Sequence, residues 1–153
     1  MKKYITITVV FMMMCLMLWG CKKEEEKPEV LYDLPVTYEL VAEIKEDSLS
    51  STGCELILTN EGAECEFEFG HMGYKVERYE DGEWSEMPLV NQFVSGIALG
   101  YQLNPGDSTE FRVGWSELYG ELPSGKYRYI KSVEMWKPKH LTQDVCFFVE
   151  FTL

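Results

Sequence analysis

Residues 64–70 read Glu-Cys-Glu-Phe-Glu-Phe-Gly, a strict alternation of charged and apolar side chains. Successive side chains of a β-strand point to opposite faces, so this pattern makes one clean apolar face only as a strand. On a helix the same residues would scatter around the axis. Similar short stretches recur along the chain, separated by turn signals. Asn60-Glu61-Gly62, Asp81-Gly82 and Asn104-Pro105-Gly106-Asp107 each join two of them. Asp-Gly between strands favours a type I′ turn, while Pro followed by Gly fixes one negative and one positive φ. Strands are predicted over residues 35–44, 53–59, 64–70, 74–80, 83–89, 97–103, 109–115, 126–133 and 146–153, with a helical turn over 116–120 and a polar loop over 137–144. No helix-length periodicity competes. About seven to nine short strands at steady spacing describe an all-β antiparallel β-sandwich, with an open barrel as the rival.

The N-terminus follows different rules. Met1-Lys2-Lys3 is basic, residues 4–19 are almost unbroken apolar, and Leu18-Trp19-Gly20-Cys21 precedes a charged stretch beginning Lys22-Lys23-Glu24. An apolar run of 16 residues (4–19) is short of the about 20 needed to span a bilayer and suits a signal-peptide core. An aliphatic residue three before a cysteine and a small one directly before it resemble the lipobox of bacterial lipoproteins. The resemblance implies cleavage after residue 20, lipidation of Cys21, and tethering to the extracellular face of the cell membrane. Two or more acyl chains suffice for stable anchoring. Residues 1–20 are then the signal peptide and 21–33 a charged tether able to reach about 40 Å when extended. Residues 34–153 form the sandwich domain.

The mature part carries all 26 acidic residues and, with Lys2 and Lys3 removed, 12 of the 14 Lys and Arg, so its formal charge is 12 − 26 = −14. Nucleic acid demands basic patches and is excluded as a partner. Peripheral attraction to anionic lipid is equally disfavoured, which leaves the lipid on Cys21 to hold the protein at the membrane. Abundant Phe, Tyr, Trp, Leu and Val predict a packed core and not a disordered acidic tail. A monomer is expected.

Cys54, Cys65 and Cys146 remain once Cys15 and Cys21 are set aside, an odd number that precludes a complete disulfide framework. Cys54 shares parity with Leu56 and Leu58, and Cys65 with Phe67 and Phe69, so both are expected on the inner face. Their offset from the intervening turn places them roughly 13 Å apart along the strands, beyond disulfide reach. Cys146 alternates with Phe147 and Val149 and is expected to point outward. Three reduced thiols follow, two of them acting as small hydrophobes.

No nucleophile motif, phosphate loop or metal-ligand spacing is present, and neither His71 nor His140 has a partner at metal spacing. No catalytic residue, metal or cofactor is therefore expected. Two surface features stand out. Glu64, Glu66 and Glu68 line the outward face of one strand, expected as a solvated face that meets lysines across the sheet; the alternative is a docking surface for a basic partner. Trp136, Lys137, Lys139 and His140 form the one basic cluster of the domain, between the last two strands and at one end of the sandwich. Loops on a rigid scaffold carry binding disproportionately, so these four are the candidate binding residues.

Residues 56–62, the hairpin Tyr79-Glu80-Asp81-Gly82-Glu83-Trp84, the segment 101–108 and the segment 115–128 together resemble a bacterial immunoglobulin-like domain found in cell-surface lipoproteins of Gram-positive Firmicutes. The likeness runs from about Val36 to the C-terminus and is most specific in the last segment. It implies an Ig-like sandwich with no assigned activity and no catalytic residue to carry over. Within that segment, Tyr127 is placed to form a tyrosine corner with upstream backbone. Trp84 and Trp115 are expected as core or hairpin-capping aromatics. A more distant likeness, to the Bacillus intracellular proteinase inhibitor domain, rests on the Asn-Pro-Gly turn and the Gly-x-Tyr strand entry. The expected function is that of a non-enzymatic surface module binding a protein or envelope component through its loops; the alternative is an inhibitor of a secreted protease.

Overall fold

The computed structural model describes residues 34–91, 100–139 and 141–153. The leader, the tether with Cys21, and His140 lie outside the described residues. Two antiparallel sheets pack face to face, as the alternation requires. The smaller holds β1 (Leu40–Ile44), β2 (Gly53–Asn60) and β7 (Ser108–Gly114) in the order β1-β2-β7. The larger holds β3 (Glu66–Gly70), β4 (Tyr74–Glu80), β5 (Glu83–Glu86), β6 (Gly100–Leu103), β8 (Lys126–Lys137) and β9 (Leu141–Thr152).

The register explains how so many strands fit one sheet. β9 pairs with β8 along its whole length, from Lys126↔Thr152 to Lys137↔Leu141. The other edge of β8 is shared: β4 takes residues 126–131 and β3 takes residues 134–136. β3 and β4 are thus two halves of one interrupted strand. At the jog the Ser132 amide and hydroxyl both donate to the Gly73 carbonyl, at 3.0 Å. β6 flanks β3 and β5 flanks β4.

The predicted turns are present with their predicted backbones. Asp81 and Gly82 have φ of 53° and 92°, the paired positive values of a type I′ turn. Gly106 has φ 82° after Pro105, and the Asp107 amide donates to the Asn104 carbonyl at 3.0 Å, closing that turn. A single helical turn, α1 (Ser116–Tyr119), stands where one was expected.

The core lies between the sheets. Leu56, Leu58, Phe111 and Val113 come from the smaller sheet, facing Phe67, Val76, Tyr127, Tyr129 and Phe147 of the larger. Trp115 closes one end, fully buried, stacked on Phe151 at 5.0 Å and donating its indole N–H to the Ser51 carbonyl at 2.8 Å. Each large side chain so buried contributes about 2–3 kcal/mol of transfer free energy. The tyrosine corner is formed: the Tyr127 hydroxyl donates to the Pro123 carbonyl at 2.8 Å.

Four expectations are corrected. First, residues 137–144 are not a loop. β8 and β9 extend until Lys137 faces Leu141, leaving a three-residue connection, 138–140, because the cross-strand pairing of this long hairpin outweighs Pro138 and the local polarity. Second, Cys146 is fully buried. Its side chain does lie off the core side, but residues 34–37 run along the free edge of β9 and cover it. Val36 bridges Cys146 in parallel, the Cys146 amide donates to Pro35 at 3.0 Å, and the thiol donates to the Leu34 carbonyl at 3.6 Å. Third, that same segment detaches from the predicted first strand, which begins at Leu40. The strand predicted over 83–89 likewise stops at Glu86.

Candidate functional site

The end of the sandwich that carries the hairpin tip is organised by Asn60, which is fully buried. Its side-chain amide donates to the carbonyls of Cys65 (2.8 Å) and Leu103 (3.1 Å), and its Oδ1 accepts from the Gly62 amide at 2.9 Å. One side chain thus ties the exit of β2 to the entrance of β3 and the exit of β6. Close packing there leaves no room at Gly62, where an added Cβ would stand 2.3 Å from the Cys65 sulfur. In the sequence Asn60 reads as a simple turn residue.

On this frame Trp136 stands in the ladder directly between Glu66 of β3 and Thr142 of β9. Its parity sends the indole to the outward face of the large sheet, where it is 36% exposed. A groove of about 260 Å³ runs between it and Glu66, Glu68 and Gln102. The Gln102 amide donates to the Glu66 carboxylate at 3.1 Å, fixing that acid in the groove wall. A second groove, of about 370 Å³, shares Glu66 and Trp136 and is completed by Glu64, Pro105, Lys137 and Lys139. Lys139 sits at the tip with φ 73°. The acidic ladder and the basic cluster, 70 residues apart between Glu66 and Trp136 by number, are therefore one surface. Three of the four candidate binding residues line it; His140 lies outside the described residues.

The lysines expected opposite the acidic ladder are absent. Glu68 faces Gln102 on one side and Glu134 on the other, and Glu134 in turn faces Asp144. The reason is the register, which the long β8–β9 hairpin sets by pairing its own acidic residues. Like charges directly opposite each other destabilise a sheet by a few tenths of a kcal/mol per pair.

The thiols are unsuited to nucleophilic work. Burial pushes both Cys54 and Cys65 up to about 12, with the Glu39 carboxylate adding to the effect at Cys65, whose thiol donates to it at 2.9 Å. Burial also raises Cys146. Among the described residues these three cysteines are unpaired. His71 lies in the β3–β4 connection, its ring stacked on Phe111 at 5.1 Å and its Nε2 3.1 Å from the Tyr101 hydroxyl. Among the described residues no three His, Cys, Asp or Glu side chains converge as a metal site, and no helix is long and apolar enough to cross a membrane.

Two further buried groups escaped the sequence reading. Lys131 points between the sheets, its Nζ donating to the Met72 carbonyl at 2.6 Å and lying 5.7 Å from the Phe111 ring centre. Burial pushes its pKa down to about 8. On the opposite face of the same sheet Arg128 and Glu77 form a fully buried ion pair, with the guanidinium 4.6 Å from the Trp84 ring centre. Trp84 caps this hairpin by packing on Tyr79 at 5.1 Å. Strand parity alone places Lys131 with Tyr129 and Val133, but an isolated lysine carries no signal that it is held there.

No curated protein and no solved structure shows significant similarity to the chain. Residues 36–147, by contrast, match the family described as the bacterial Ig-like domain, from the segment covering Cys146 through most of β9. Ig-like domains are generally non-catalytic, in keeping with raised thiol pKa values and a site built from an indole and surface charges. With the two-sheet architecture, the tyrosine corner and this match over most of its length, the chain belongs to the bacterial Ig-like domain family.

Proposed function

We propose that the chain is a lipid-anchored, non-enzymatic module of the bacterial cell surface, held by Cys21 and binding a protein or envelope component at the hairpin end of its sandwich. The family match supports a surface module. The lipobox-like Leu18-Trp19-Gly20-Cys21 supplies the anchor, and a Gram-positive host fits the resemblance. The observation that carries the binding role is the paired groove around Trp136, in which an exposed indole on rigid strands lies between carboxylates and lysines. Aromatic side chains with polar neighbours are the usual energetic centres of recognition surfaces. A protease-inhibitor role draws no support from the same hairpin: its three-residue connection offers no extended segment to thread an active-site cleft.

Two measurements test the reading. Metabolic labelling with palmitate should mark the wild-type chain and not Cys21→Ser, and the label should fractionate with the membrane. Label on Cys21→Ser, or a cytosolic mature chain, overturns the anchor. Capture of envelope components by the chain should weaken about five-fold or more in Trp136→Ala, as expected for loss of an aromatic anchor. Equal capture overturns the site.

A further inference from the structure

We infer that the outward face of the large sheet beside Trp136 docks a basic polypeptide segment, with its cationic side chains set over Glu68, Glu134 and Asp144 and one of them laid on the indole. This deepens the binding role proposed above and rests on it. Two independent observations carry it.

The first is where the carboxylates find counter-charges. Several carboxylates elsewhere on the sheets are bridged: Lys45 with Glu55 (3.1 Å) and Glu110 (2.8 Å), Lys75 with Glu86 (3.0 Å), Lys126 with Glu150 (2.7 Å). Along Glu68–Glu134–Asp144, three neighbouring strands present like charge in one cross-strand line, and among the described residues none of the three makes an ion pair. The row spans about 10 Å, two inter-strand spacings, and alternate residues of an extended peptide stand about 7 Å apart, so two cations on one peptide face match it. The second observation is the groove itself, whose wall is the Trp136 indole. A Lys or Arg stem lies flat on such a ring and its charge is attracted by the ring face. Lys137 and Lys139 border the tip and repel a cationic ligand there, so the peptide is directed away from the tip, over the carboxylates. The mature charge of −14 (12 − 26) speeds the encounter.

The test uses the full chain in a non-ionic detergent, titrated by calorimetry with a peptide of alternating lysine and serine. Binding should be detected and should weaken steeply with added salt. A double variant, Glu68→Gln with Glu134→Gln, should lose about ten-fold in affinity and Trp136→Ala about five-fold, typical losses for a close charge pair and a cation–π contact. A charge-matched control at exposed carboxylates elsewhere, Glu83→Gln with Glu121→Gln, should stay within two-fold of wild type, which separates a docking face from net charge. The Glu68/Glu134 variant should also unfold at slightly higher temperature, since it relieves repulsion; weaker binding by a more stable protein cannot be misfolding. No peptide binding, or equal losses in the two double variants, overturns the inference. So does binding of a de-acetylated amino-sugar oligomer in place of the peptide. Envelope capture that persists while peptide binding fails leaves the surface-module reading standing.

Discussion

The Asn60 side-chain amide reaches the Leu103 carbonyl at 3.1 Å across the end of the sandwich, joining the smaller sheet to the larger at the point where the candidate site begins. The same group also serves Cys65, and its carbonyl oxygen serves Gly62. Asn60→Ala removes all three bonds and leaves buried backbone groups unsatisfied, at a cost of about 2–4 kcal/mol. Denaturant unfolding should show this as a lower midpoint with an unchanged slope. An Asn60→Ala protein as stable as wild type would mean that water replaces the side chain and that this end is not held by it.

Lys131 gives the fold a pH dependence with a definite sign. Its folded pKa, about 8, lies below the ordinary lysine value of 10.5 because burial disfavours the charged amine. Below pH 8 the amine is charged in both states and the fold carries the full penalty. Between pH 8 and 10.5 the folded chain gives up the proton first, so this residue's contribution becomes more favourable as pH rises. Cys54 and Cys65, raised to about 12, act oppositely above pH 9, where the unfolded chain ionises first. The Lys131 effect is therefore read as a difference. Lys131→Met should be more stable than wild type at pH 7, and the gap should narrow by up to about 3 kcal/mol by pH 10.5. A gap independent of pH would show the amine to be hydrated in the fold.

The alternation of residues 64–70 and the three turn signals are enough to read the sandwich, because strand parity and turn chemistry are local properties. Tyr127 was legible for the same reason: Pro123 lies four residues upstream. What could not be read locally was register. The carboxylates of Glu68, Glu134 and Asp144 fall in line through pairings that only the assembled sheet decides. Trp136 and Glu66 were each singled out, but their junction in one groove depends on β3 docking on the distal half of β8. Cys146 was given the right parity and the wrong exposure, since its cover comes from residues 34–37, more than a hundred positions away. Asn60, Lys131 and the Glu77–Arg128 pair carry residue types that usually mean solvent, and nothing short of tertiary packing distinguishes a buried one.

The tyrosine corner offers a smaller and cleaner test. Tyr127→Phe keeps the buried ring, its stack on Phe151 at 5.5 Å and its shape, and removes only the hydroxyl that donates to Pro123. The loss should be about 1 kcal/mol, or about 4 °C in Tm for a domain of this size. A much larger loss would indicate that the segment joining α1 to β8 unfolds with the bond; no loss would indicate that the corner is geometric and not energetic.

Glu77 and Arg128 present the sharpest energetic contrast, because both side chains are fully buried on the sheet face away from the core. Removing two charges from water costs several kcal/mol each, and their attraction offsets this only while both are present. Glu77→Ala takes away a counter-charge from a guanidinium that remains buried, and should destabilise by about 3–5 kcal/mol. Glu77→Leu with Arg128→Met replaces the pair by apolar groups of similar volume on a patch that already includes Ile130 and Trp84, and should recover most of that loss. The double-mutant cycle at pH 7 measures the coupling directly. If the double variant is as unstable as Glu77→Ala, the ion pair is needed to position the β4–β5 hairpin on β8, and Trp84 should then lose its packing on Tyr79 and on the side chain at position 128, visible as a red shift of tryptophan emission. If it recovers, the pair is replaceable and the hairpin is held by the ladder and by Tyr79 and Trp84 alone.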